Sequence, residues 1–197
     1  VKVISFYTDD VYRLRAEGLK KSAEDVGLEC VLFERKNLGT WWENCNQKCD
    51  VIYEAIQTYK DEPIVWNDSD TRYVQRPVLF DEIGGYDFAA VFLNSNNHPF
   101  GGTMWFNGRR ALPYVEAWRK NVQRHPRHED DSINFRVALH RSRPRNTYHL
   151  PPAYCWRERD MRSAFPTARP VIIHTTSGTH NYPVTHLGED EIRRLYA

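Results

Sequence analysis

The sequence has no long hydrophobic run. No apolar stretch approaches the roughly 18–20 residues that a membrane span requires, so no spanning helix is expected. Cys-x-x-Cys pairs are missing too. The four cysteines are Cys30, Cys45, Cys49 and Cys155. Cys45 and Cys49 stand one helical turn apart, the wrong spacing for a zinc knuckle or a redox dithiol. Reduced, partly buried thiols of a cytoplasmic protein are the expectation. Internal repeats and low-complexity linkers are absent, so the 197 residues read as one domain around one core. The strand-like start, Val1 to Tyr7, is followed by no cleavage-site pattern, and no signal peptide is expected. Net charge is nearly missing as well, at +1. A uniformly basic protein that coats nucleic acid is thereby excluded.

What is present is more specific. The near-zero charge hides a split. Residues 1–100 carry 11 Lys/Arg against 17 Asp/Glu, a net of −6. Residues 101–197 carry 16 against 9, a net of +7, and 20 of the 27 basic residues are Arg. Such a division suits a protein that handles two different substrates. Aromatic residues are abundant at 13%.

Hydrophobic periodicity predicts strands over 2–7, 29–34, 63–66, 88–93, 103–106 and 171–174. Helices are expected over 11–26, 45–59, 77–83, 110–124, 132–140 and 189–195. The first carries Val11, Leu14, Leu19, Ala23 and Val26 as its apolar positions and ends at Gly27. Residues 39–42, Gly-Thr-Trp-Trp, read as an aromatic loop. The early β-α-β-α-β alternation implies an α/β sandwich with a mostly parallel central sheet flanked by helices. Ligands of such sheets bind beyond the C-terminal strand ends, where Asp68 and Asp70 lie.

Two carboxylates on one turn suit a hard divalent cation such as Mg²⁺ or Mn²⁺, which takes oxygen ligands and carries diphosphates. The competing reading is a helix cap or an Asx-turn. Two other acidic motifs fail on residue type. Dehalogenase-like phosphatases use Asp-x-Asp-x-(Thr/Val), but here Thr71 comes one place early and Arg72 follows. An EF-hand counted from Asp68 would need Gly at Tyr73 and Glu at Leu79.

Trp66-Asn67-Asp68-Ser69-Asp70, followed by Pro77-Val78-Leu79-Phe80, resembles the nucleotide-diphospho-sugar transferases of the GT-A fold. Further stretches are similar, and in the same order. They are Trp41-x-x-Asn44-Cys45-x-x-Lys48, Gly101-Gly102-Thr103-Met104-Trp105-Phe106-Asn107, Trp118, Asp130-Asp131-Ser132, Leu150-Pro151-Pro152-Ala153-Tyr154-Cys155 and Ile173-His174. The resemblance covers roughly residues 1–175.

It implies a single-domain, Rossmann-like GT-A sandwich. It also implies a nucleotide-diphosphate sugar as donor, with UDP or GDP as carrier, a Mn²⁺ or Mg²⁺ ion, and transfer of the sugar to an acceptor. By this resemblance Asp70, Asp68 and His174 hold the metal, with Asp68 also reaching the ribose. His180 and His186 are alternatives to His174. Lys48 stands near the diphosphate or is a solvated helix lysine. Asp131 or Asp130 orients the donor sugar or acts as general base, or caps a helix. Asp131 is preferred because Phe135 then takes the usual apolar position. Gly101 and Gly102 allow close backbone approach to the sugar, or form a simple turn. Phe6, Tyr7 and Thr8 end the first strand, where these enzymes hold base and ribose.

Residues 1–100 are then the donor and metal half, and residues 101–197 the acceptor half and tail. The arginines of the second half point to an anionic acceptor, a modified nucleic-acid base or an acidic glycan, with Trp105, Tyr154 and Trp156 available to stack on it, or they form a salt-bridged surface. The alternatives are a phosphohydrolase or nucleotidyltransferase that uses the same Asp pair, and a non-catalytic nucleotide-binding module.

Overall fold

A computed structural model of the chain describes residues 1–92, 99–125, 131–142, 146–177 and 185–186. In chain order the first half runs β1 (Lys2–Tyr7), α1 (Asp10–Asp25), β2 (Glu29–Glu34), α2 (Trp41–Asn46), α3 (Lys48–Tyr59), β3 (Ile64–Asn67), β4 (Thr71–Tyr73), α4 (Leu79–Glu82) and β5 (Phe88–Phe92). The second half runs β6 (Pro99–Phe106), α5 (Leu112–Arg124), α6 (Asp131–Ser142), β7 (Thr147–His149), α7 (Glu158–Met161), β8 (Ile172–His174), β9 (Thr176–Ser177) and β10 (Thr185–His186).

Six strands form the central sheet in the order β2-β1-β3-β6-β5-β7. β1 pairs in parallel with β2 and β3, and β5 with β7. β6 runs antiparallel to β3 and β5. The sheet is therefore mostly parallel, as the sequence suggests, with one reversed strand that brings Gly101 and Gly102 back to the end of β3. Two short antiparallel ribbons, β4-β8 and β9-β10, lie outside this sheet.

Strand alternation sorts the core into two layers. Ile4, Ile64, Trp66, Phe88, Met104 and Phe106 pack on one face against Val51, Ile52 and Ile56 of α3, Val115 and Trp118 of α5, and Phe135 of α6. Val3, Val65, Ala89, Val91 and Trp105 pack on the other against Leu19 and Ala23 of α1, Tyr73, Phe80, Tyr154 and Ile172. A large apolar side chain buried in either layer contributes on the order of 1.5–3 kcal/mol. Central strands covered on both faces read as unbroken apolar runs, which is why Ile64-Val65-Trp66 was legible as a strand.

Several expectations need correction. α1 buries Ala16, Leu19 and Ala23, whereas Val11 and Leu14 are 60% and 65% exposed. The apolar residues of its first turns thus face solvent rather than the sheet. Residues 41–42 are helical rather than loop, because Thr40 caps α2 by accepting from the Glu43 N–H, and Gln47 divides the expected 45–59 helix in two. Gly101 and Gly102 lie inside β6 rather than in a turn before it. The strand ending in His174 pairs with β4, not with the central sheet. Trp105, Tyr154 and Trp156 are 0%, 4% and 0% exposed, so they are core residues and cannot stack on an acceptor. None of the four cysteines forms a disulfide, and three of them are buried. No helix among the described residues is long and apolar enough to cross a membrane. The expected helix over 189–195 lies outside the described residues.

Candidate active site

β3 ends in a buried polar lock. Asn67 is fully buried. It accepts a hydrogen bond of 2.6 Å from the Tyr73 hydroxyl and donates one of 3.0 Å to the Thr103 hydroxyl. Burial pushes the Tyr73 pKa well up, so its hydroxyl stays a donor. This lock fixes the residue immediately before Asp68.

The chain then turns through 68–71. The Asp68 carbonyl accepts from the Thr71 N–H at 3.0 Å and from the Thr71 hydroxyl at 2.8 Å. Strand β4 follows, so neither Asp caps a helix, and the carbonyl rather than a carboxylate closes the turn. The Asp68 carboxylate is engaged elsewhere. Its Oδ1 meets Lys48 Nζ at 2.9 Å and accepts from Trp66 Nε1 at 3.1 Å. A carboxylate offers about four lone-pair positions, so this leaves capacity for a cation.

Lys48 is not a solvated lysine. It is buried at the start of α3, donates to the Gly101 carbonyl at 3.3 Å and lies over the Trp66 ring. Its charge faces Asp68, and each offsets the other's desolvation.

Asp70 is joined to His174 across 104 positions of sequence by the β4-β8 ribbon, whose register pairs Thr71 with His174. The Asp70 carbonyl accepts from the Thr175 N–H and hydroxyl, both at 2.8 Å. One Asp70 carboxylate oxygen then stands 3.8 Å from His174 Nδ1. That gap is too long for a hydrogen bond. It falls within the span, about 3.0–4.2 Å, that separates two donors each about 2.1 Å from one ion. Asp68, Asp70 and His174 can each offer one ligand atom, all within 4.8 Å of one another. Two hard oxygens and an imidazole suit Mg²⁺ or Mn²⁺, so the residues present fit the ion that the resemblance implies.

Gly102 is required by this arrangement. A Cβ there would lie 2.0 Å from His174 Cε1, so the bare Cα makes room for the imidazole ring. We expect Gly102→Ala to expel the ring, lowering divalent-cation affinity and costing about 1–3 kcal/mol of stability. A Mn²⁺ titration and a denaturant melt of the variant check both effects.

Other expected residues are placed nearby. Phe6, at the end of β1, packs its ring 5.7 Å from that of Trp66. Tyr7 and Thr8 follow it, half-buried. The first turn of α6 is held by a chain of buried amides. Asn134 donates to Asn46 at 3.4 Å and accepts from Asn121 at 2.7 Å. Asn46 precedes Lys48 by two residues, so the helix that begins at Asp131 is tied to the lysine's end of α3. The Asp131 side chain, Asp130 and His180 lie outside the described residues, and of His186 only the backbone is described.

Sequence reasoning missed Tyr12 and Cys155. Burial raises the Tyr12 pKa, Arg15 opposes the rise, and Cys45, Asp9 and Asp70 add to it, so Tyr12 feels the charge of the acidic turn. Cys155 touches the far side of His174, with Sγ 3.3 Å from Nε2.

The same fold recurs in solved structures. A glycosyltransferase involved in the glycosylation of the major capsid of PBCV-1 superposes with a TM-score of 0.68 at 12% identity, over 90% of this chain and 93% of that one. The chain has a glycosyltransferase fold. The glycosyltransferase GlyE of Streptococcus pneumoniae TIGR4 is also similar, with TM-scores of 0.64 for its apo form and 0.60 in a second structure, at 13% and 12% identity over 93% of this chain. This chain spans a little over half of GlyE, 57% and 58% of the two structures. No protein-family model and no curated protein matches the sequence.

Proposed function

We propose that this protein is a metal-dependent glycosyltransferase that moves a sugar from a nucleoside-diphosphate sugar to an acceptor. The observation that carries the reading is the convergence of Asp68, Asp70 and His174 in a fold shared with glycosyltransferases. The reaction breaks the bond between the sugar and the diphosphate, and negative charge grows on the departing phosphate oxygen. A bound Mn²⁺ or Mg²⁺ supplies the positive charge that stabilises it. Asp70 and His174 would hold the ion, and Asp68 would face it while tied to Lys48. Phe6, Tyr7 and Thr8 would contact base and ribose. The Gly101 backbone would approach the sugar, and Asp131 or Asp130 would orient it or take the acceptor proton.

A thermal-shift panel of UDP, GDP and their sugars, with and without Mn²⁺, tests this reading. A metal-dependent rise in melting temperature with one nucleotide is expected. No shift with any of them favours a non-catalytic module. Donor hydrolysis that candidate acceptors leave unchanged favours a hydrolase.

For the acceptor we propose an anionic molecule approaching the arginine-rich second half. Part of that charge is already spent. Arg109 pairs with Asp61, Arg110 with Asp87, Arg119 with Asp50 and Arg162 with Glu158. Arg127, Arg143 and Arg145 lie outside the described residues. A nucleic-acid acceptor predicts that log affinity falls linearly with log salt concentration. A flat plot removes nucleic acid from the candidates.

A further inference from the structure

We propose that Cys155 is a positioning residue for His174. Its sulfur accepts a hydrogen bond from the Nε2–H of the imidazole and so keeps Nδ1 turned toward Asp70. This rests on reading Asp68, Asp70 and His174 as a cation site. An imidazole can hold a metal through one nitrogen only if that nitrogen is unprotonated, and the partner of the other nitrogen selects the form.

The two edges of the His174 ring face different groups. Nδ1 is on the Asp70 side, at 3.8 Å, and Nε2 is on the Cys155 side, at 3.3 Å. The ring fills the space that a bare Cα leaves. Gly102 lies against it so closely that a Cβ there would overlap Cε1. Cys155 is itself held rigidly. It is 1% exposed, and the chain around it is laced to β8 by three backbone bonds. The Val171 N–H donates to Ala153 at 2.8 Å, the Trp156 N–H to Ile172 at 2.9 Å, and the His174 N–H to Trp156 at 2.7 Å. The sulfur is therefore placed by the same strand that carries the histidine. Metal-bound histidines usually donate their second N–H to a carboxylate, a carbonyl or water. Here a buried thiol fills that place.

The test is Mn²⁺ affinity, read by electron paramagnetic resonance, in the wild type and in Cys155→Ala, Cys155→Ser, His174→Ala and the double variant Cys155→Ala/His174→Ala. Removing the acceptor should weaken binding about 10–100-fold. Serine, which still accepts, should recover most of the loss. In the His174→Ala background, Cys155→Ala should change nothing further. Unchanged affinity in Cys155→Ala, equal loss in the alanine and serine variants, or a full effect in the His174→Ala background would overturn the proposal.

Should the alanine variant not fold, long-range ¹H–¹⁵N spectra of the Mg²⁺-loaded wild type decide. They should show the proton on Nε2, and a proton on Nδ1 would overturn the assignment. A wild type that binds no divalent cation sinks the cation-site reading instead. Spectra of the metal-free protein above the His174 pKa then still test the Cys155 contact, with the same two outcomes.

Discussion

Asp70→Ala should lower sugar transfer by at least about 100-fold, the scale on which one group aimed at developing charge acts. It should also abolish the Mn²⁺-dependent rise in melting temperature. The variant should still fold, because the carbonyl of Asp70, not its carboxylate, holds Thr175. Asp70→Asn keeps the shape and removes the charge, and it should behave like the alanine. Asp68→Ala is a less clean probe, since it also removes the contact at 2.9 Å to the buried Lys48 ammonium. Donor turnover and a Mn²⁺ titration on the same preparations separate the two effects. Transfer that survives in Asp70→Ala shows the metal assignment to be wrong.

The second large effect is in pH. Burial alone would pull the His174 pKa down. The Cys155 sulfur beside it, with the charges of Asp70 and Asp68, outweighs burial and lifts it from 6.5 to about 9. A histidine whose pKa is raised by folding stabilises the protein fully below its unfolded pKa, and that stability is lost as pH climbs through the folded value. The metal-free protein should therefore lose on the order of 3 kcal/mol between pH 6.5 and about 9. With saturating Mg²⁺ present the loss should vanish. A cation must displace the proton from Nδ1, so its affinity should rise by up to about tenfold per pH unit across the same window. Denaturant melts in EDTA and in Mg²⁺ across that range check both slopes. Equal slopes in the two series would contradict the assignment of His174 as a ligand.

The sandwich was legible because β1, β3 and β5 are short apolar runs and the helices between them carry clear stop signals, such as Gly27 with φ at +80°. The acidic turn was legible because an apolar strand runs directly into it. What stayed hidden depends on contacts between distant segments. β4 is only Thr71–Tyr73, too short for a periodicity, and it is a strand because Ile172–His174 pairs with it. The role of Gly102 appears only once the His174 ring is seen against its Cα. Lys48 reads from sequence either as a lysine near the diphosphate or as an ordinary helix lysine. Its burial depends on the Gly101 carbonyl and Asp68 both reaching the start of α3. Counting tryptophans and tyrosines also misled, since aromatic residues suited to stacking are equally suited to a core, and Trp105 and Trp156 were used there.

The charge split is likewise reshaped by the fold. Asp68 and Asp70 come from the acidic half, but Gly101, Gly102, Cys155 and His174 come from the basic one. Both halves therefore build the proposed metal site.

The most direct measurement is anomalous X-ray scattering from crystals grown with Mn²⁺ and a nucleoside diphosphate. The account predicts one peak about 2.0–2.3 Å from an Asp70 carboxylate oxygen and from His174 Nδ1, with diphosphate oxygens completing the shell. A peak elsewhere, or a bound nucleotide with no peak at Asp70 and His174, would contradict it.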